Sequence, residues 1–168
     1  ILAYVAARRV PMIPGSGGPS RVNTTISKFG YPSSLLHEYR SWVVLLRPAQ
    51  PTLGSLVLAC KEDATSLGSV SSAAYAELPA AIADLERALR QAFDFRRINY
   101  LALMMVDPHV HFHVIPRYSE PREFDGASCA DAAWPRQRQA ARQWHRAGGR
   151  APPDRAAAGA ASAAGAGF

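Results

Sequence analysis

The chain has 168 residues, 48% of them apolar, which suits one ordinary domain with its own core and is short for two. No apolar run approaches the roughly 20 residues that cross a bilayer. The opening Ile1–Ala7 followed by Arg8-Arg9 reverses the order of a signal peptide, so a secreted protein is not indicated and a cytoplasmic setting is expected.

The net charge is +6, and residues 136–168 hold six arginines against one acid. The basic character therefore belongs to the end of the chain, and residues 1–135 are almost neutral. That end lacks the regular aromatic interleaving of a single-strand binding surface, so no specific nucleic acid is expected as a partner. Cys60 and Cys129 have neither metal-ligand spacing nor a disulfide pattern, and Cys60 reads as a small core residue.

Residues 1–23 contain Pro14-Gly15-Ser16-Gly17-Gly18-Pro19 and read as a flexible leader. The domain is expected over residues 24–135. Trp42–Leu46 is a short β-rich run, stopped by Arg47-Pro48-Ala49-Gln50-Pro51. Leu53–Cys60 reads as a second strand, antiparallel to the first through that turn. Both runs are apolar on both faces, as in a covered sheet.

Between about 71 and 93 the period becomes helical. Tyr75, Leu78, Ile82, Leu85, Leu89 and Phe93 form one stripe, with Asp84, Glu86, Arg87 and Arg90 off it. Pro79 marks a kink or the start of the main helix, with 72–78 as a separate turn. Ile98–Val106 reads as a third strand, Asp107-Pro108 as a turn, and His109–Arg117 as a fourth strand that alternates cleanly. The expected fold is α+β, an antiparallel sheet with one helix packed on it. Residues 136–168, rich in Arg, Ala and Gly, read as disordered.

The informative stretch is His109-Val110-His111-Phe112-His113-Val114-Ile115, with three of the chain's five histidines. Alternation on a strand puts His109, His111 and His113 on one face, about 7 Å apart, and Val110, Phe112 and Val114 on the core face. The histidine face is expected to be open. Three readings compete. A neutral imidazole is a good nucleophile at phosphorus, and its neighbours can donate hydrogen bonds to phosphate oxygens. Two of the imidazoles could converge on a metal such as zinc, which would need a third ligand that no Cys or acid is placed to supply. Or the row is structural.

These residues match the His-φ-His-φ-His-φ-φ signature of the histidine-triad (HIT-like) superfamily at every position, φ being apolar, and the chain resembles that superfamily over about residues 24–135. Leu53-Gly54-Ser55-Leu56-Val57-Leu58 is similar to its Pro-Gly-His-apolar strand, and Trp134-Pro135 to a C-terminal Trp-Pro element. The resemblance implies a hydrolase or transferase acting on nucleotides with a substituted α-phosphate, such as diadenosine polyphosphates or nucleoside phosphoramidates. It implies a homodimer with the two sheets joined. His111 would attack the α-phosphorus, with His113 and His109 contacting phosphate oxygens or the leaving group. No metal or other cofactor is required. Arg47, Asn99 and Arg117 are the candidate substrate-binding residues. Arg47 stands where the family usually has an Asp or Asn, and Met104-Met105-Val106-Asp107-Pro108 replaces its Gly-Gln-Ser type of loop. That replacement leaves a non-catalytic nucleotide-binding module as the alternative.

Overall fold

The computed structural model describes residues 22–136. The expectations for the leader up to residue 21 and for the tail from residue 137 lie outside the described residues.

The sheet grows from strands whose two faces are both covered. It is antiparallel and five-stranded, in the order β1 (Leu35–Glu38), β2 (Trp42–Leu46), β3 (Leu56–Cys60), β5 (His111–Arg117), β4 (Arg97–Leu101). One register row, Leu45↔Val57↔His113, crosses three strands, and Ala59↔His111 lies beside it. Trp42, Val43 and Leu45 on β2 and Val57, Leu58, Ala59 and Cys60 on β3 are all buried. Burial of each Leu or Val stabilises the fold by about 1.5–3 kcal/mol relative to exposure.

On one face lies the long helix α2 (Ser72–Phe93). Ala74, Ala81, Leu85, Leu89 and Phe93 pack with Val44, Leu56, Leu58 and Val114. The buried stripe is rotated from the one the sequence suggests, because two alanines let the helix approach closely. Trp42 Nε1 donates to the Ala74 carbonyl at 2.8 Å, while Tyr75 turns outward and its hydroxyl donates to the Leu67 carbonyl. Pro79 lies inside one continuous helix, not at its start, and sits on the exposed side. Ser71 caps the N-terminus by accepting from the Ala74 amide. Gly54 takes φ +78°, and a Cβ there would meet the Phe93 ring at 2.7 Å; only glycine fits where the β2–β3 turn meets α2.

The opposite face is covered by the segment before the sheet. Helix α1 (Thr24–Lys28) is capped by Asn23, whose side chain accepts from the Ile26 amide at 3.0 Å and donates to the Cys60 carbonyl at 2.9 Å. Ile26 is buried with Val43, Leu45, Val57 and Ala59, and Phe29, Tyr31 and Leu35 pack against them.

Three strand bounds also change. The second strand begins at Leu56, because Leu53–Ser55 belong to the turn. The third ends at Leu101, since residues 104–106 form a turn with Met105 91% exposed. Apolar composition alone had extended that strand, and no neighbouring strand pairs with it there. The fourth starts at His111, not His109. Strand β1 and the hairpin β6 (Arg122–Phe124) and β7 (Ala127–Cys129) are additions, mixed in composition and supported by Tyr39, Phe124 and Cys129 packing at the core margin.

Candidate active site

His111 and His113 stand on β5 two residues apart, and so share the face that carries Val57 and Ala59 on the neighbouring strand. Their rings meet edge to face with centroids 4.9 Å apart. Phe29 follows α1 and lies over both, 5.5 Å from His111 and 5.7 Å from His113. The face is therefore not open. His111 is fully buried, because the residues after α1 need an apolar surface and find it there.

His111 Nδ1 lies 2.7 Å from the His109 carbonyl oxygen. A carbonyl only accepts, so Nδ1 carries the hydrogen and Nε2 keeps its lone pair. That Nε2 is buried without a hydrogen-bond partner. His113 Nδ1 is likewise buried and unpartnered. Burial first, then proximity to His111 and the Arg47 charge, push the His113 pKa down to about 4, Asp107 opposing them. His113 is thus neutral at neutral pH.

His109 does not join this pair. Its backbone N–H donates to Thr25 Oγ1, the Thr25 hydroxyl reaches Nδ1 at 3.1 Å, and Nε2 meets Asp63 Oδ1 at 2.9 Å. With both ring nitrogens occupied, His109 clamps α1 to the loop after β3 and stands apart from the His111–His113 pair. It precedes the strand, so strict alternation never applied to it.

Arg47 falls just past β2, two residues beyond Leu45 and so on the His113 face. The ladder continues there, with the Arg47 amide donating to the Ser55 carbonyl at 3.2 Å. Gln50 holds the turn, donating to the Arg47 and Ser55 carbonyls and accepting from the Ser55 amide. Ser55 is buried in this network; its hydroxyl donates to the Thr52 carbonyl, and Thr52 in turn donates to the Pro116 carbonyl. Arg47 Nε is buried with no partner.

Arg117 is held elsewhere: Nε donates to Asp131 Oδ2 at 2.5 Å, with both side chains buried. Burial would raise the Asp131 pKa, but the hydrogen bonds from Arg117 and from the Ala133 and Tyr118 amides bring it below the ordinary value. Its guanidinium is engaged with a carboxylate rather than turned toward His111 and His113. Asn99 is half-buried on β4 opposite Ile115. Lys28 and Asp107 form an ion pair at 2.6 Å. Sequence reasoning passed over Phe29, Thr25 and Lys28. An Asn23 cap ahead of Ile26 was the available signal for α1.

No protein-family model and no curated protein matches the chain. Solved structures do. A histidine triad (HIT) protein from Sinorhizobium meliloti 1021 superposes with a TM-score of 0.53 at 19% identity, over 70% of this chain and 78% of its own. The chain has the HIT-like fold. SMU.412c from Streptococcus mutans UA159 gives 0.50 at 25% identity, over 68% and 74% of the two chains. A HIT family protein from Bacillus anthracis str. 'Ames Ancestor' gives 0.48 at 21% identity, covering 52% of this chain. The HIT-like chain spans 65% of that protein's length, just under two thirds. In this HIT-like domain no helix among the described residues is long and apolar enough to cross a membrane. No group of three or more His, Cys, Asp or Glu among them could hold a metal ion.

Proposed function

We propose that the chain is a nucleotide hydrolase or nucleotidyl transferase that acts on the α-phosphate of substituted nucleotides, of the diadenosine polyphosphate or nucleoside phosphoramidate kind. The observation that carries this reading is His111, whose Nδ1 hydrogen is committed to the His109 carbonyl and whose Nε2 lone pair is unpartnered. That is the state a nucleophilic imidazole needs, reached without a separate base.

In this mechanism Nε2 attacks the α-phosphorus. A nitrogen–phosphorus bond forms, and the bond to the leaving group breaks with its electron pair on that group. Water, or an acceptor alcohol in a transferase, then displaces His111 and restores the free imidazole. His113, neutral at neutral pH, donates a hydrogen bond to a phosphate oxygen. Phe29 must yield for a ligand to reach Nε2, because its ring covers both imidazoles.

A homodimer joined through β4 belongs to the same reading. Among the described residues β4 pairs only with β5, and the apolar Leu101 and Leu103 are exposed at its end.

A binding module without catalysis is the second reading. It is favoured by the segment before the triad, where Met105 and Val106 are exposed at 91% and 78% in place of a polar loop. Incubation with adenosine 5′-phosphoramidate and with diadenosine tetraphosphate, wild type beside His111→Asn, separates the two. Nucleoside monophosphate release that is lost in the variant, with a phosphohistidine adduct in the wild type, supports the enzyme. Tight nucleotide binding with no release supports the module.

A further inference from the structure

The polar groups around His113 are almost all matched. His109 is held by Thr25 and Asp63, Lys28 by Asp107, and Arg117 by Asp131. Apart from the free ring nitrogens of His111 and His113 themselves, Arg47 is the exception. Among the described residues its guanidinium makes one hydrogen bond, to the carbonyl of Ala49 two residues on, and its Nε is buried without a partner. No carboxylate among the described residues forms an ion pair with it. A half-buried cation without a counter-charge is costly, and the usual remedy is an anion within reach.

The position is built. Gln50 and Ser55 close the turn around the Arg47 backbone with four hydrogen bonds, so the side chain starts from a rigid point. Leu45, Val57 and His113 form one row across the sheet, and Arg47 is the next residue along that face from Leu45. Two strand spacings, roughly 10 Å, separate the β2 and β5 backbones. An arginine spans much of that gap, and its charge is felt at His113. A guanidinium has five donors in a planar fork and no acceptor. It matches a phosphate or carboxylate and cannot accept from a hydroxyl group.

We infer that Arg47 is a specificity residue for a second oxyanion on the ligand, so that this site selects doubly anionic substrates over nucleotides carrying the 5′-phosphorus group alone. This rests on the proposed nucleotide reading. The second anion is either a phosphate on the ribose or a carboxylate on the leaving group. His111 Nε2 addresses the reacting phosphorus, and Arg47 holds the other charge from the β2 side.

Calorimetric titration of wild type and Arg47→Ala tests it with two ligand pairs. The first sets adenosine 5′-monophosphate against adenosine 2′,5′- and 3′,5′-bisphosphate. The second, in a His111→Asn background so that no ligand is consumed, sets the glycine-linked adenosine 5′-phosphoramidate against its glycinamide counterpart. The expected result is at least tenfold tighter binding of the more anionic member of one pair, with the gap lost in Arg47→Ala while the less anionic member binds as before. A gap in the first pair assigns the ribose phosphate, and one in the second the leaving-group carboxylate. Equal binding within both pairs, or a gap that survives Arg47→Ala, overturns the inference and leaves the nucleotide reading standing. Binding of none of the five ligands overturns both.

Discussion

The His109 carbonyl oxygen and His111 Nδ1, 2.7 Å apart, tie the backbone just before β5 to the imidazole that begins it. One bond thereby sets the tautomer of a fully buried side chain. His111→Asn keeps a donor able to meet that carbonyl but has no nucleophilic nitrogen. Turnover is expected to vanish, with about 1 kcal/mol lost in stability for the poorer fit. Substrate assays beside urea denaturation check it; a loss above about 3 kcal/mol with unchanged turnover would make His111 a packing residue only.

His113 links stability to acid. Burial first, then proximity to His111 and the Arg47 charge, lower its folded-state pKa to about 4 from an ordinary 6.5. The unfolded chain binds the proton more readily, so this contribution is complete above pH 6.5 and is lost as pH falls toward 4. At about 1.4 kcal/mol per unit, the loss attributable to His113 is at most about 3 kcal/mol, less whatever solvent screens. Urea denaturation at pH 7, 5.5 and 4 should show a steeper decline in wild type than in His113→Gln. Parallel declines would remove His113 as the cause.

Arg117 and Asp131 are buried together, and Asp131 also accepts from the Tyr118 and Ala133 amides. Asp131→Asn leaves the guanidinium inside the fold without its counter-charge, and about 3–5 kcal/mol of stability should go with it. Ligand affinity in the surviving folded protein should be unchanged. Weakened binding at constant stability would instead return Arg117 to the list of substrate contacts.

The β4 edge gives a test of assembly. Leu101→Glu combined with Leu103→Glu places like charges along an edge that two copies would share. The expected outcome in multi-angle light scattering is a shift from dimer to monomer with the thermal transition of the domain retained. A wild type that runs as a monomer at micromolar concentration would rule the arrangement out.

Much of the fold was legible because periodicity reports burial. The α2 stripe and the apolar runs of β2 and β3 each carry the spacing of the element they form. The parts that were missed carry no such period. α1 has five residues, β6 and β7 three each, and they gain their order from what they pack against. Residues 102–106 erred the other way, since they pair with no strand among the described residues and Leu103, Met105 and Val106 turn outward.

The sequence by itself determined the HIT-like pattern, the shared face of His111 and His113, and the presence of an arginine after β2. Those follow from side-chain alternation and from residue identity, which are local. Only the tertiary structure decided that Phe29 covers the imidazoles, that His109 is occupied by Thr25 and Asp63, and that Arg117 is held by Asp131. His109 and Thr25 are 84 residues apart in the chain, and Arg117 and Asp131 meet across a separate hairpin. Contacts of that kind depend on how segments pack, and no local period encodes which nitrogen of an imidazole is left free.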